Sequence, residues 1–364
     1  GVWIMAYTTI DDPSAHFHTQ LYSGDGNTNR DITNDANAGD FRPDFLWLKN
    51  RTDSSTQHML FNSNVGMPNH LNSDLLDAEQ TATNKATAFN ADGFRVQDHS
   101  QVNGNGKNYV AWQWKANGGT TTTNDASATS VGTIDSVYQA NTTAGFSIVT
   151  YTGTGSAGTI AHGVGATPHW VLVKNRSSGS TQWYNQHIGN SSASKGQTLS
   201  TTGAEQTLSA VFNDTRASST VFSVGNNNSI NDSGDNYVAY IFAPIKGYSK
   251  FGSYTGNGNA DGPFVYTGFK PAWIMLKRID STNNWNIFDS KRDVDNQVGN
   301  VLYANLTNAE EADASHSSAN DFLSNGFKLR ETGNAVNGSG ATYIYIAFAE
   351  HPFVSSKGAP VTAR

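Results

Sequence analysis

The chain has 364 residues, 37% hydrophobic, 15% charged and 11% aromatic, with a formal net charge of −7 and no cysteine. The aromatic content excludes the profile of a disordered chain, and the length allows two or three ordinary domains. An acidic balance without a Lys/Arg run removes the electrostatic case for binding nucleic acid. The lack of cysteine removes disulfides and Cys-based metal sites or nucleophiles, and no apolar stretch is long enough to cross a bilayer as a helix.

The chain opens on a short apolar stub, Gly1-Val2-Trp3-Ile4-Met5, which lacks the basic flank and long apolar segment of a signal peptide; Met5 could be the initiator. Residues 1–15 read as an N-terminal arm. Three copies of one pattern follow, over 16–118, 144–247 and 248–364. Each begins with a Tyr-Gly turn: Tyr22-Ser23-Gly24-Asp25-Gly26, Tyr151-Thr152-Gly153-Thr154-Gly155 and Tyr254-Thr255-Gly256-Asn257-Gly258. A proline-led apolar run ending in lysine comes next: Pro43 to Lys49, Pro168 to Lys174, and Pro271 to Lys277. An Ala-Glu pair supplies Glu79, Glu205 and Glu310. Each copy closes on an aromatic strand entered from a Gly-rich turn, at Tyr109–Trp114, Tyr237–Phe242 and Tyr343–Phe348. Four landmarks in constant order mark an internal triplication. Between the first two copies, residues 119–143 are rich in Thr, Ser and Gly and read as an extended linker or surface arm.

The periodicity is that of strands. Phe146–Tyr151 roughly alternates apolar and polar residues, as a half-buried strand does. The Pro-led runs are continuously apolar, which fits strands covered on both faces, with proline at the first position where it costs no ladder bond. The best helical candidate, Leu75 to Phe89, contains Thr81, Thr83 and Asn84, so a turn or two of helix is the most it allows. The expected fold is all-β: three tandem β-sandwich repeats, jelly-roll or lectin-like, arranged as a rod or as a pseudo-threefold ring.

These landmarks resemble a family of repetitive structural proteins of marine bacteriophages, tail-fibre and other virion proteins. The resemblance rests on Tyr7-Thr8-Thr9-Ile10-Asp11-Asp12-Pro13, on the Pro-x-aromatic-apolar-Lys-Asn-Arg cores at Pro43–Arg51 and Pro168–Arg176, and on Gly247 to Glu350. It covers nearly the whole chain. It implies a virion location, on tail or capsid surface, for a protein made in the host cytoplasm, and it supplies no catalytic site.

The residues offer few chemical constellations. Glu79, Glu205 and Glu310 have no acidic partner at constant spacing, so a turn role accepting backbone N–H bonds is expected rather than catalysis. Lys49, Lys174 and Lys277 are expected to cap strand ends while their stems cover apolar surface. The Tyr-Gly segments lack the strand-to-helix context of a phosphate loop and read as hairpin turns. His16 and His18, two apart on a strand, are candidate metal ligands. Trp183, Tyr184, Asn185, Trp285 and Asn286 pair aromatic faces with amides, the chemistry of glycan contact. No cofactor is expected. The expected function is a non-enzymatic structural or adhesive virion component, a tail fibre first. A capsid-surface decoration fibre and a carbohydrate-binding module are the alternatives. Its expected partners are other virion proteins and host surface polysaccharide, and a homo-oligomer, a trimer above other states, is favoured. Neither nucleic-acid binding nor membrane insertion is expected.

Overall fold

The Pro-led runs form strands that lie between two neighbours. In the computed structural model, which describes residues 7–35, 41–312 and 319–361, they are Phe45–Asn50, Trp170–Asn175 and Phe269–Arg278. Each pairs antiparallel on one side with an aromatic strand, Asn108–Trp114, Asn236–Phe242 or Thr342–Pro352. On the other side it pairs with Met59–Asn62, Tyr184–His187 or Trp285–Asp289. The aromatic strand in turn pairs with Phe17–Ser23, Phe146–Thr152 or Ser249–Thr255. One strand order thus occurs three times, in three antiparallel sheets. Pro43 and Pro168 precede their strands, whereas Pro271 sits inside one at a register break, where its missing N–H leaves no ladder bond unmade.

Strand alternation explains why those runs are apolar throughout. In the first, Leu46 and Leu48 face a core shared with a small sheet of Arg30–Ile32, Ala86–Phe89 and Phe94–Val96. Phe45 and Trp47 face the other way, into a core common to all three large sheets. The second and third runs repeat the division. Val171, Val173, Ile274 and Leu276 face outer cores, while Trp170, Leu172, Trp273 and Met275 face the common one. Seven of the eight tryptophans lie in that common core. At its centre Trp114, Phe242 and Phe348, each at the same place on its aromatic strand, meet pairwise edge-to-face with centroids 5.6–6.3 Å apart.

The fold is therefore all-β with several antiparallel sheets; its helices are single turns. Two expectations are corrected and one falls within its bound. The Thr-rich segment is no linker: Thr122–Asn124 and Ser136–Asn141 extend the second large sheet through the outer edge of Phe146–Thr152. Residues 75–89, allowed at most a turn or two of helix, hold the strands Gln80–Thr81 and Ala86–Phe89. The Tyr-Gly segments do not close hairpins, because the strands flanking them belong to different sheets. Their glycines instead meet the loop ahead of the aromatic strand. A Cβ on Gly24 would lie 2.1 Å from the Gly104 carbonyl oxygen, and Cβ atoms on Gly153 and Gly256 would lie 2.1 and 2.3 Å from the Asp232 and Gly338 carbonyl oxygens. The apolar stub of residues 1–5 lies outside the described residues. The arm's later part packs on the third large sheet's side of the molecule, where the Tyr7 hydroxyl donates to the Gly268 carbonyl at 2.8 Å.

Candidate functional site

The recurring lysines do not reach water. Lys49, Lys174 and Lys277 are fully buried, and each ammonium donates to a carbonyl belonging to a different copy of the pattern. Lys174 Nζ reaches Leu76 O at 3.0 Å, Lys277 Nζ reaches Thr202 O at 3.1 Å, and Lys49 Nζ reaches Thr307 O at 2.9 Å. Burial pulls Lys49 and Lys174 down to about 8 and Lys277 to about 7. Lys174 and Lys277 also donate to Asn175 O and Arg278 O at the ends of their own strands, as a strand-end cap does, with stem and charge both inside a seam.

The glutamates run along the same seams. Glu79 takes a bidentate bond from Arg176 at 2.8 and 2.9 Å, and Glu310 takes one from Arg51 at 2.8 and 2.7 Å. Burial works against the Glu310 charge, but the guanidinium groups of Arg51 and Arg292 hold its carboxyl below the usual range. Glu205 alone fits the expected turn role, accepting from the Ser191 backbone N–H at 2.8 Å and the Asn190 amide at 3.0 Å. All three also donate their backbone N–H across a seam: Glu79 to Arg176 O, Glu205 to Ile279 O and Glu310 to Arg51 O. The contacts run first to second, second to third and third to first, so the set closes on itself.

The two tryptophans singled out for glycan stacking complete the seams. Trp183 and Trp285 are 0% exposed, and their indole N–H groups donate to Asn72 O at 2.8 Å and Thr198 O at 3.1 Å. At the same place in the first copy stands His58. Trp47 Nε1 donates to its Nδ1, which leaves Nε2–H to donate to Tyr303 O at 2.9 Å. Asn185 and Asn286 are buried as well and bond the carbonyls of Gln197 and Asn284; Tyr184 is half-buried. The glycan expectation is corrected at Trp183, Asn185, Trp285 and Asn286, since a ring with no exposed face has nothing to stack a sugar on; the half-buried Tyr184 is left without its expected partners.

At the surface, two adjoining depressions of about 520 and 380 Å3 share Ser290, Glu350 and His351. The carboxylates there hold their own framework. Glu350 is 2.9 Å from Lys270 Nζ; Asp293 accepts from the Gly299 and Asn300 backbone at 2.9 and 2.7 Å; Asp12 caps the turn Pro13–Ala15. His18 lines the smaller depression, with Nε2 3.3 Å from Gln20 Oε1 and 3.7 Å from Asp35, and burial lowers its pKa. His16 turns instead to the Asn141 amide, 3.2 Å from its Nδ1. The two histidines therefore do not form a joint metal site, and no group of three metal-ligating side chains occurs among the described residues. The arrangement offers hydrogen bonds and a trough, in which Asp12, Asp293 and Glu350 are committed to turns and an ion pair while Asp295 is exposed.

A family model described as a domain of unknown function (DUF7483) matches residues 12–352. The chain belongs to this family. No curated protein matches it. The match to the DUF7483 domain ends at Pro352, the last residue of the last aromatic strand, and so spans all three large sheets.

Within this DUF7483 domain, one recurring residue escaped the sequence reading. Asn103, Asn231 and Asn337, all fully buried, each accept from the backbone of the Tyr-Gly segment, at Asp25 N, Thr154 N and Asn257 N (2.9–3.2 Å). Their amide N–H groups donate back to Asn27 O, Ser156 O and Asn259 O. The signal was present: each lies six residues ahead of Tyr109, Tyr237 or Tyr343. Those tyrosines stack on Tyr22, Tyr151 and Tyr254 with centroids 5.0 Å apart, pinning the same loops.

Proposed function

We propose that the chain is a non-enzymatic structural or adhesive component of a bacteriophage virion, a tail-fibre or tail-associated protein, built from three tandem β-sandwich units closed into a pseudo-threefold ring. The observation that carries this reading is the closed set of seams. Each unit spends its apolar face, buried lysine and Ala-Glu turn on the next, and the third returns to the first. The recurring charged residues are thereby engaged as architecture rather than chemistry. What remains outward is the small sheets and loops, the arrangement of a module that displays surface to neighbours or to a host. The sequence resemblance to phage virion proteins supports the location.

One chain in this form has the arrangement that three chains have in a trimeric fibre, and the surface that separate units would use to trimerise is consumed inside it. Further association must use other surfaces, and mass measured in solution tests for it. Immunogold electron microscopy on purified particles tests the location. Label at the tail or tail base is the expected result. Label spread over the capsid moves the protein to the second reading, a decoration fibre, and its absence from particles overturns both.

A further inference from the structure

The threefold recurrence supplies an internal control: what all three copies share serves the architecture, and what one copy alone carries calls for another reason. On the strand Phe264–Tyr266, at the edge of the third copy's small sheet, both Phe264 and Tyr266 are exposed, at 43% and 48%. Being two residues apart they project from one face, about 7 Å from each other. Cross-strand register identifies their counterparts. Phe264 pairs with Lys328, as Asp31 does with Arg95 and Thr159 with Ser223. The second aromatic, Tyr266, corresponds to Ala161 on the same registers. The first copy fills the Phe264 place with a bidentate Asp31–Arg95 ion pair at 2.8 Å, and the second with a threonine. Neither fold position demands an aromatic ring.

The local geometry turns these rings into a platform. Gly326, paired with Tyr266, has no side chain; a Cβ there would lie 2.9 Å from the Phe264 ring, so that ring lies over the glycine. Leu323 continues the row beyond Gly326 and also lines the 520 Å3 depression, whose wall carries Asp293, Asn296, Lys270 and His351. Around the rings stand Lys250, with Nζ 4.9 Å from the Tyr266 centroid, and the Asp261–Lys328 ion pair at 2.6 Å. Aromatic faces beside a trough of hydrogen-bonding groups match a ligand with apolar C–H faces and hydroxyl edges. Lys328, Lys270 and Arg330 are paired with carboxylates, and Lys250, which donates to Tyr266 O, is balanced by the exposed Asp295 lining the depression, so no net surplus charge selects an anion.

We infer that Phe264 and Tyr266 form a binding platform for a neutral oligosaccharide, which stacks on the two rings and extends over Leu323 into the adjoining depression. The inference rests on the adhesive reading above and gives it a ligand class. Its test uses the purified chain alone, so it can fail while particle labelling succeeds, and the reverse.

The experiment is saturation-transfer NMR of the full chain with tri- to hexasaccharide fragments of glucan, galactan and chitin. The same spectra are recorded for Phe264→Ala, Tyr266→Ala, Tyr266→Phe and, as control, Thr159→Ala. The expected result is transfer to at least one oligosaccharide with the native chain, at least tenfold weaker binding in both alanine variants, and near-native binding in Tyr266→Phe and Thr159→Ala. Because both rings are exposed, the alanine variants should melt with the native chain. No transfer from any fragment at millimolar concentration overturns the inference, as does binding that both alanine variants leave intact.

Discussion

The seam between the second and third sheets lacks what the other two have. Arg51 and Arg176 each stand two residues after the buried lysine and clamp a glutamate of a neighbouring copy. At that place in the third copy stands Ile279; the basic residue has moved to Arg278, which pairs locally with Asp280 at 2.9 Å. Yet the seam keeps its other contacts, the Glu205 N–H to Ile279 O bond at 2.8 Å, the Lys277 bond to Thr202 O and the Trp285 bond to Thr198 O. The ion pairs are therefore additions to a joint that apolar burial and backbone hydrogen bonds already define. This fits the modest worth of partly exposed pairs. The third–first seam goes furthest the other way. There Arg292, fully buried, bonds Asp289 at 2.6 Å and Glu310 at 3.0 Å, while Trp112 Nε1 donates to the same Asp289 at 3.0 Å.

That ranking can be broken from the top. Arg292→Ala strips the guanidinium from the buried Asp289 and Glu310, and should cost about 3–5 kcal/mol in urea unfolding. A loss below about 1 kcal/mol would make the network incidental. Trp114→Ala, at the meeting point of all three sheets, should cost a comparable 3–5 kcal/mol by leaving a cavity. Its distinguishing outcome is a single cooperative transition at lower denaturant; separate melting of the sheets would mean that they fold as independent domains.

Next comes pH. The three seam lysines titrate lower when folded, so between about pH 7 and pH 10 the unfolded chain binds more protons and stability rises with pH. Below that window their contribution is lost. Above about pH 10 buried tyrosines such as Tyr248, whose pKa burial raises, reverse the slope, because the folded state then holds more protons. Calorimetry from pH 7 to 11 should show a melting temperature that climbs and then falls. Replacing the three lysines with methionine should flatten the climb. The smallest effect sharpens the comparison itself. Glu79→Gln should cost about 1 kcal/mol and couple to Arg176 in a double-mutant cycle, whereas Glu205→Gln should show no coupling to Arg278.

Much of the fold was legible because strands write their faces into the sequence. The triplicate register of Pro43, Pro168 and Pro271, the apolar runs behind them and the aromatic strands Tyr109–Trp114, Tyr237–Phe242 and Tyr343–Phe348 all became strands in sheets of one order. Their unbroken apolarity foretold that the runs are covered on both faces. It could not say by what, since Leu46 and Trp47 are equally apolar and only assembly decides which meets the small sheet and which the common core. The Thr-rich segment misled for a related reason: its strands join a sheet edge through backbone hydrogen bonds, to which side-chain composition is nearly silent.

The sequence by itself determined an all-β chain with one pattern written three times, and marked the lysines, glutamates and tryptophans that matter. Only the tertiary structure decided what they do. Lys174, Glu79 and Trp183 find their partners about a hundred residues away in another copy, and Lys49 and Glu310 across more than twice that distance. Local spacing fixes where a side chain points along its own strand. The identity of the surface that it then meets is fixed by how three sheets close around one aromatic centre, and that depends on every strand at once.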